Sequence, residues 1–388
     1  MKKIVKWIFR ALLTLAIAAF VIGLWKREEI TRLMAVNTLF DEECIISNFS
    51  NMDGAFLHRE ISKGDTPVSP LPIGTPLDMP RGYAEWVVDR TVTSTLVLKD
   101  GQIVHEDYYH GTEVDDLRIS WSVAKSYLSA LFGILVDEGA ITSLDAPVTQ
   151  YVPQLIGGAY DGVTIRNVLQ MTSGITFDED YLDYNSDINR MGRVIALGGQ
   201  MDNFAAGLTE TFAPAGETWQ YTSIDTHVVG MVARGATGRD IPDLMAEKLI
   251  EPLGLNRSPL YLTDGVGVAF VLGGLNVTTR DYARFGQMIL QDGQWQGQQI
   301  VPAYWIKTST SPNAPTAPGK IGYGYQWWIP FGATEGQFMG RGIYGQYLYI
   351  DKQAGVVIVT TAADRKFREA GVNAANVDMF RQIVAATE

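Results

Sequence analysis

Two runs rich in β-formers, Thr93–Leu98 and Gln102–Tyr108, surround Lys99-Asp100-Gly101. An Asp-Gly pair between such runs predicts a tight hairpin. Near the other end, Gly345–Ile350 and Gly355–Thr361 flank Asp351–Ala354 and predict a second hairpin. Between the hairpins the apolar spacing is mostly helical. Tyr127–Glu138 is an apolar helix stopped by Gly139, Thr164 caps a short helix to Met171, and Thr278-Thr-Arg-Asp281 is a capping box opening Tyr282–Gln291. Asn373–Ala386 reads as a closing amphipathic helix. Strands at both ends with helices between them predict an α+β fold, in which an antiparallel sheet is formed by the N- and C-terminal segments and flanked by helices. The sheet lobe spans about 83–139 and 276–388, and an inserted helical lobe spans about 140–275.

Before this body the pattern changes twice. Lys2, Lys3, Lys6 and Arg10 precede the apolar stretch Ala11–Trp25, so residues 1–27 read as a signal anchor or a signal peptide. Ala16-Ile17-Ala18 offers a cleavage site, but the apolar run continues through Phe20–Trp25, which favours an uncleaved anchor. The positive flank stays in the cytoplasm and the rest is exported. The expected location is the inner membrane, facing the periplasm or cell exterior, or a secreted form if the segment is cut. Residues 28–82 read as a linker and extended surface segment: Arg27–Asp53 is charged and mixed, and Pro67, Pro70, Pro72, Pro76 and Pro80 forbid helix or central strand. The serine-bearing domain then runs over 83–388.

The net charge of −12, with no basic stripe, argues against nucleic acid as a partner. Four histidines and the single Cys44 leave little for a metal site or a disulfide framework, and no H-E-x-x-H, C-x-x-C or Walker run occurs. Neither a metal nor an organic cofactor is expected.

The chemistry concentrates at Ser122-Val-Ala-Lys125, where the apolar helix begins. A serine hydroxyl is a poor nucleophile at its free pKa and needs a proton acceptor beside it. Residues three apart share a helix face, roughly 5–6 Å between Cβ atoms, so the Lys125 amine reaches the Ser122 hydroxyl. A helix start also offers unpaired N–H groups to a developing oxyanion. No other lysine in the chain has serine three positions before it. Taken alone, the pair is also compatible with a capping serine beside a surface lysine.

Five motifs carry a resemblance that extends over about Tyr83–Thr361. Ser122–Lys125, Val163–Gly174, Pro214–Ser223, Gly273–Asp281 and Gly342–Gln346 resemble, in order, the serine β-lactamase-like family. That family includes class C β-lactamases, D-alanyl-D-alanine carboxypeptidases, esterases and 6-aminohexanoate-oligomer hydrolases, and the last branch is the most similar in flavour. The resemblance implies a β-lactamase/transpeptidase-like fold with Ser122 as nucleophile, Lys125 as its neighbouring base, Tyr221 as the catalytic tyrosine and the Ile343 N–H completing the oxyanion hole with that of Ser122. If Lys125 alone took the serine proton, its pKa must fall about three units, ~4 kcal/mol. A shared network, in which a charged Lys125 lowers the pKa of Tyr221, is the expected alternative.

Substrate contacts are expected from Tyr181, Ser223, Gly342, Tyr344 and Trp328, and more weakly from Asp187, on a small molecule or short peptide. Where lactam-recognising branches carry Lys-Thr-Gly, this chain has Gly340-Arg341-Gly342, and Ser223 stands where β-lactamases usually carry asparagine. Both departures weaken a β-lactamase or carboxypeptidase reading. A non-catalytic sensor has no need of all three proton-handling groups. A Ser-His-Asp hydrolase lacks its G-x-S-x-G elbow, and only His227 lies near a motif.

Overall fold

Residues 2–388 are described by the computed structural model. Its centre is a seven-stranded antiparallel sheet in the order Gln102–Tyr108, Val92–Lys99, Val356–Ala362, Gln346–Asp351, Gln337–Gly342, Trp328–Ile329, Gly322–Tyr323. The two expected hairpins meet in the middle of it, with Leu96 opposite Val359 and Val97 opposite Ile358. In the first hairpin, Asp100 and Gly101 both have positive φ, 50° and 79°, as a type I′ turn demands.

Both faces of the sheet are covered, so its central strands are apolar throughout instead of alternating. Leu96, Leu98, Val357 and Val359 share one core with Tyr282 and Phe285 of helix Thr279–Leu290. Val97, Ile358 and Tyr349 share another with Trp86 and with Phe380 of helix Val372–Ala386. Thr164 caps its helix as expected, in a reciprocal capping box with Asn167; at the expected box of Thr278–Asp281 only half forms, the Thr278 side chain accepting from Asp281 N–H while the Asp281 carboxylate serves Asn256, Arg257 and Arg284.

A smaller sheet, in the order His58–Glu60, Leu260–Leu262, Leu275–Val277, Arg118–Ile119, delivers the chain to Ser122. Directly after it, Trp121 takes a left-handed φ of 44°, a strained backbone for a bulky residue of the kind that clusters at functional sites. The helix Ala124–Asp137 follows and is buried along almost its whole length. Strand Gln337–Gly342 crosses its start so closely that a Cβ on Gly340 would meet Ser126 Oγ at 3.1 Å and Val123 Cγ1 at 3.2 Å.

The structure departs from the expectation of a linker over Arg27–Asp53. Arg27–Thr38 is a helix, Ile45–Asn48 and Met52–Ala55 are single helical turns, and His58–Glu60 is an edge strand. Leu39, Ile45, Phe49, Met52 and Phe56 enter the main core. Positions 45, 49, 52 and 56 carry a helical apolar spacing that the surrounding charges mask. Buried Arg118 pins this stretch, donating to the Ile46 carbonyl and Ser50 Oγ, both at 2.8 Å. The packed body therefore starts well before Tyr83. The proline-rich segment is extended as expected, held by Ser69 N–H to Gly254 O and Leu77 N–H to Val104 O.

Lys2–Trp25 is one helix of 24 residues, strongly apolar over its most hydrophobic 18-residue stretch and with no buried residue. It is long and apolar enough to cross a membrane.

Candidate active site

Ser122 lies in the single 3₁₀ turn Trp121–Val123, and Lys125 is in the first turn of the helix that follows. The Lys125 Nζ is 3.0 Å from Ser122 Oγ, 3.3 Å from Ser223 Oγ and 2.7 Å from the Leu272 carbonyl oxygen. Its side chain is 1% exposed. Removing an ammonium from water disfavours its charged form, and burial brings Lys125 down from 10.5 to about 7, against the opposing pull of Glu179. At neutral pH a large fraction of this amine is therefore free to accept a proton.

Tyr221 precedes the helix Ser223–Thr237, and its ring stacks on Trp328 with centroids 4.9 Å apart. Lys125 Nζ lies 5.4 Å from the Tyr221 ring centroid, and the phenol faces Ser122 and Ser223. Burial, aided by the Glu179 charge, raises the Tyr221 pKa above its ordinary value. This reverses the expected network, in which a charged lysine was to depress the phenol. The same desolvation acts on both groups and favours the neutral form of each.

Ile343 opens a 3₁₀ turn at the end of strand Gln337–Gly342 and lines the same cleft as Ser122. The first N–H groups of such turns have no acceptor within the turn, so the Ser122 and Ile343 amides can serve one oxyanion. Gly342 makes this approach possible: a Cβ there would stand 2.6 Å from the Ser120 carbonyl oxygen and 3.1 Å from Trp121 Cβ. Gly342→Ala is expected to push the strand away and lower kcat by about 10²- to 10³-fold, the cost of losing one such donor. Steady-state kinetics on a small ester check this, and an unchanged kcat removes Ile343 from the oxyanion site.

Glu179 is the site residue that sequence reading missed. Its carboxylate accepts from the Ser223 N–H and, at 2.7 Å, from the Tyr181 hydroxyl. Burial holds it above the usual carboxylate range. In the run Phe177-Asp-Glu-Asp180 nothing local distinguishes the inward carboxylate from its neighbours.

The other expected positions divide. Tyr181, Ser223, Gly342 and Trp328 all border the cleft. Arg341 turns into it, with its guanidinium 4.0 Å from the Trp328 ring centroid; none of the ion pairs among the described residues includes it. Tyr344 instead packs between Phe40 and Phe367, at centroid distances of 4.7 Å and 4.6 Å. It lines neither half of the cleft. A left-handed φ of 58° turns its ring away from Ile343. Asp187 is taken up by Arg190 and by the Asp178 N–H. His227 is buried against Asp202 at 2.8 Å.

The cleft has two chambers that share Ser122, Tyr181 and Ile343. One is polar, bordered by Glu179, Tyr221, Arg341 and Asn373. The other is apolar, and Tyr221 is not part of its wall.

Residues 88–378 match the protein family described as Beta-lactamase. The 6-aminohexanoate-dimer hydrolase of Paenarthrobacter ureafaciens is 32% identical over 278 residues, covering 68% of this chain and 70% of that protein. Among solved structures, a Bacillus anthracis protein assigned as a 6-aminohexanoate-dimer hydrolase superposes with a TM-score of 0.79 at 23% identity, covering 89% of this chain and 95% of the other. A D-stereospecific amidohydrolase from Streptomyces sp. gives 0.56 at 21% identity, covering 72% and 92%.

Proposed function

This chain belongs to the beta-lactamase family of serine hydrolases, and from that premise we propose that it cleaves an ester or linear amide through an acyl-enzyme on Ser122. The observation that carries the reading is the buried, partly neutral Lys125 amine 3.0 Å from the Ser122 hydroxyl.

In acylation, Ser122 Oγ bonds to the carbonyl carbon while its proton passes to Lys125 Nζ. The carbonyl oxygen takes the electron pair and is held by the Ser122 and Ile343 amides. The Tyr221 phenol then protonates the leaving atom as its bond to carbon breaks, and the Lys125 ammonium returns a proton to the phenolate. In deacylation, water gives its proton back through Tyr221 and Lys125, attacks the acyl carbon, and releases the acid while Ser122 Oγ regains its hydrogen.

Arg341, in the polar chamber and without an ion-pair partner among the described residues, suits a carboxylate on the leaving side. The leaving half of a short amide ending in a carboxylate, as 6-aminohexanoate does, fits that feature. We further propose that the helix Lys2–Trp25 exports the domain and holds it at the inner membrane.

The test is covalent. A fluorophosphonate probe is expected to label the protein stoichiometrically, with the adduct mapped to Ser122 by peptide mass spectrometry. An adduct at another serine, or a protein that hydrolyses p-nitrophenyl acetate without ever being labelled, sinks the reading. A steady-state rate, as opposed to a single burst, separates a hydrolase from a sensor that acylates once and stops.

A further inference from the structure

The apolar chamber is walled by stripes from three parts of the chain. Helix Asp187–Ala196 contributes Ile188, Met191, Gly192 and Ile195, spaced as one helix face. The end of helix Arg27–Thr38 and the residues after it contribute Val36, Leu39 and Phe40. Phe270 closes another side. The first two walls are tied together by Arg32, whose Nε donates to the Ala196 carbonyl at 2.9 Å. The cavity measures about 110 Å³ and reaches Ser122 and Ser223.

No charged side chain lines it. Of its polar groups, Tyr181 donates to Glu179, Asn189 Nδ2 donates to the backbone carbonyls of Asp180, Tyr181 and Asp183, Ser223 Oγ accepts from Lys125, and the buried, unpartnered Trp121 indole N–H is a donor that an ammonium cannot use. An ammonium placed here would lose water and find no counter-charge. A methylene chain would lose only its hydration, which is favourable.

Direction follows from Tyr221. The group that protonates the leaving atom must touch it, and Tyr221 borders only the polar chamber. The leaving group therefore departs on that side and the acyl chain lies on the other.

We infer that the apolar chamber binds an uncharged aliphatic acyl chain, so that the enzyme acts on acyl esters or amides whose acyl part is a hydrocarbon and whose leaving part is polar. This rests on the acyl-enzyme reading given above. It also gives the Arg27–Thr38 helix a role as chamber wall, one residue after the apolar span.

The full-length protein in detergent tests the inference with p-nitrophenyl esters from acetyl to octanoyl. kcat/KM is expected to rise roughly fourfold per methylene until the chamber is full. The heptanoyl ester is expected to exceed its near-isostere, the 6-aminohexanoyl ester, by on the order of 100-fold, because the amine end finds no partner. A Cβ on Gly192 would meet no atom within 4 Å, so Gly192→Leu projects into free space. That variant is expected to cut the octanoyl-to-acetyl ratio of kcat/KM by about tenfold or more. The wild-type series needs no variant, so it decides the inference even if Gly192→Leu does not fold. A flat profile from acetyl to octanoyl, or a preference for the 6-aminohexanoyl ester, overturns the chamber assignment and leaves the acyl-enzyme intact. Absence of turnover on every ester together with an unlabelled Ser122 overturns both.

Discussion

Ser122→Ala is expected to lower kcat on p-nitrophenyl acetate by roughly 10⁵- to 10⁶-fold, the scale seen when a nucleophile of an acyl-transfer site is removed. The methyl side chain cannot form the bond to carbon, so the covalent route is lost. Residual turnover above that of water comes from the amides of residues 122 and 343 and from binding, which the substitution leaves in place. Ser122 is only partly buried, and the helix behind it does not depend on its hydroxyl. The variant should melt close to the wild type, and a circular dichroism melt beside the kinetics separates a missing nucleophile from a missing fold. A kcat within tenfold of wild type would falsify the assignment of Ser122.

Lys125→Met is the second large effect. The thioether fills nearly the same volume and accepts no proton, so kcat is expected to fall by about 10³- to 10⁴-fold, near the upper range for a general base. In the wild type, kcat/KM needs the neutral amine. It should rise tenfold per pH unit up to about 7 and then level off, the point set by burial of Lys125. The buried phenol of Tyr221 stays protonated well past that point, so no falling limb is expected at moderately alkaline pH. Loss of the rising limb in Lys125→Met, measured with the same ester, ties the limb to this amine.

Stability carries the same signature in the opposite sense. The unfolded chain binds a proton on Lys125 below 10.5, and the folded protein binds it only below about 7. Between those values the unfolded state holds more protons, so wild-type stability falls as pH drops and reaches its full penalty near 7. The slope is about 1.4 kcal/mol per pH unit, which gives a penalty on the order of ~5 kcal/mol before lost hydrogen bonds are considered. Lys125→Met carries no such penalty. Its stability relative to wild type should be greatest near pH 7 and shrink toward pH 10, as read by urea unfolding at several pH values. A difference independent of pH shows that Lys125 is an ordinary charged lysine.

Some of this was legible without coordinates. The Ser122-to-Lys125 distance follows from one helical turn, a local geometry that any surrounding fold preserves. The hairpins around Asp100-Gly101 and Asp351–Ala354 were equally plain, because turn chemistry acts over four residues. Their pairing into one sheet followed from the order of elements along the chain. Other features were hidden because each depends on what packs over a residue from far away. Glu179 is one of three acidic residues in a row, and only the docking of Ser223 from 44 positions later selects it. Helix Arg27–Thr38 and the turns after it looked like a charged connector, but Arg118, 72 positions beyond Ile46, pins the turns and Arg32 ties the helix to Ala196.

The amino-acid order by itself determined which groups meet within a turn: a hydroxyl, an amine on the same helix face, and the strands that begin and end the sheet. Only the tertiary structure decided their protonation and their surroundings. A pKa responds to the water removed around a group and to charges brought in from other segments, as do the walls of a cavity, and neither quantity is encoded at the residue itself. That is why burial lowers the pKa of Lys125, why it raises that of Tyr221, and why one side of the cleft has no charge at all.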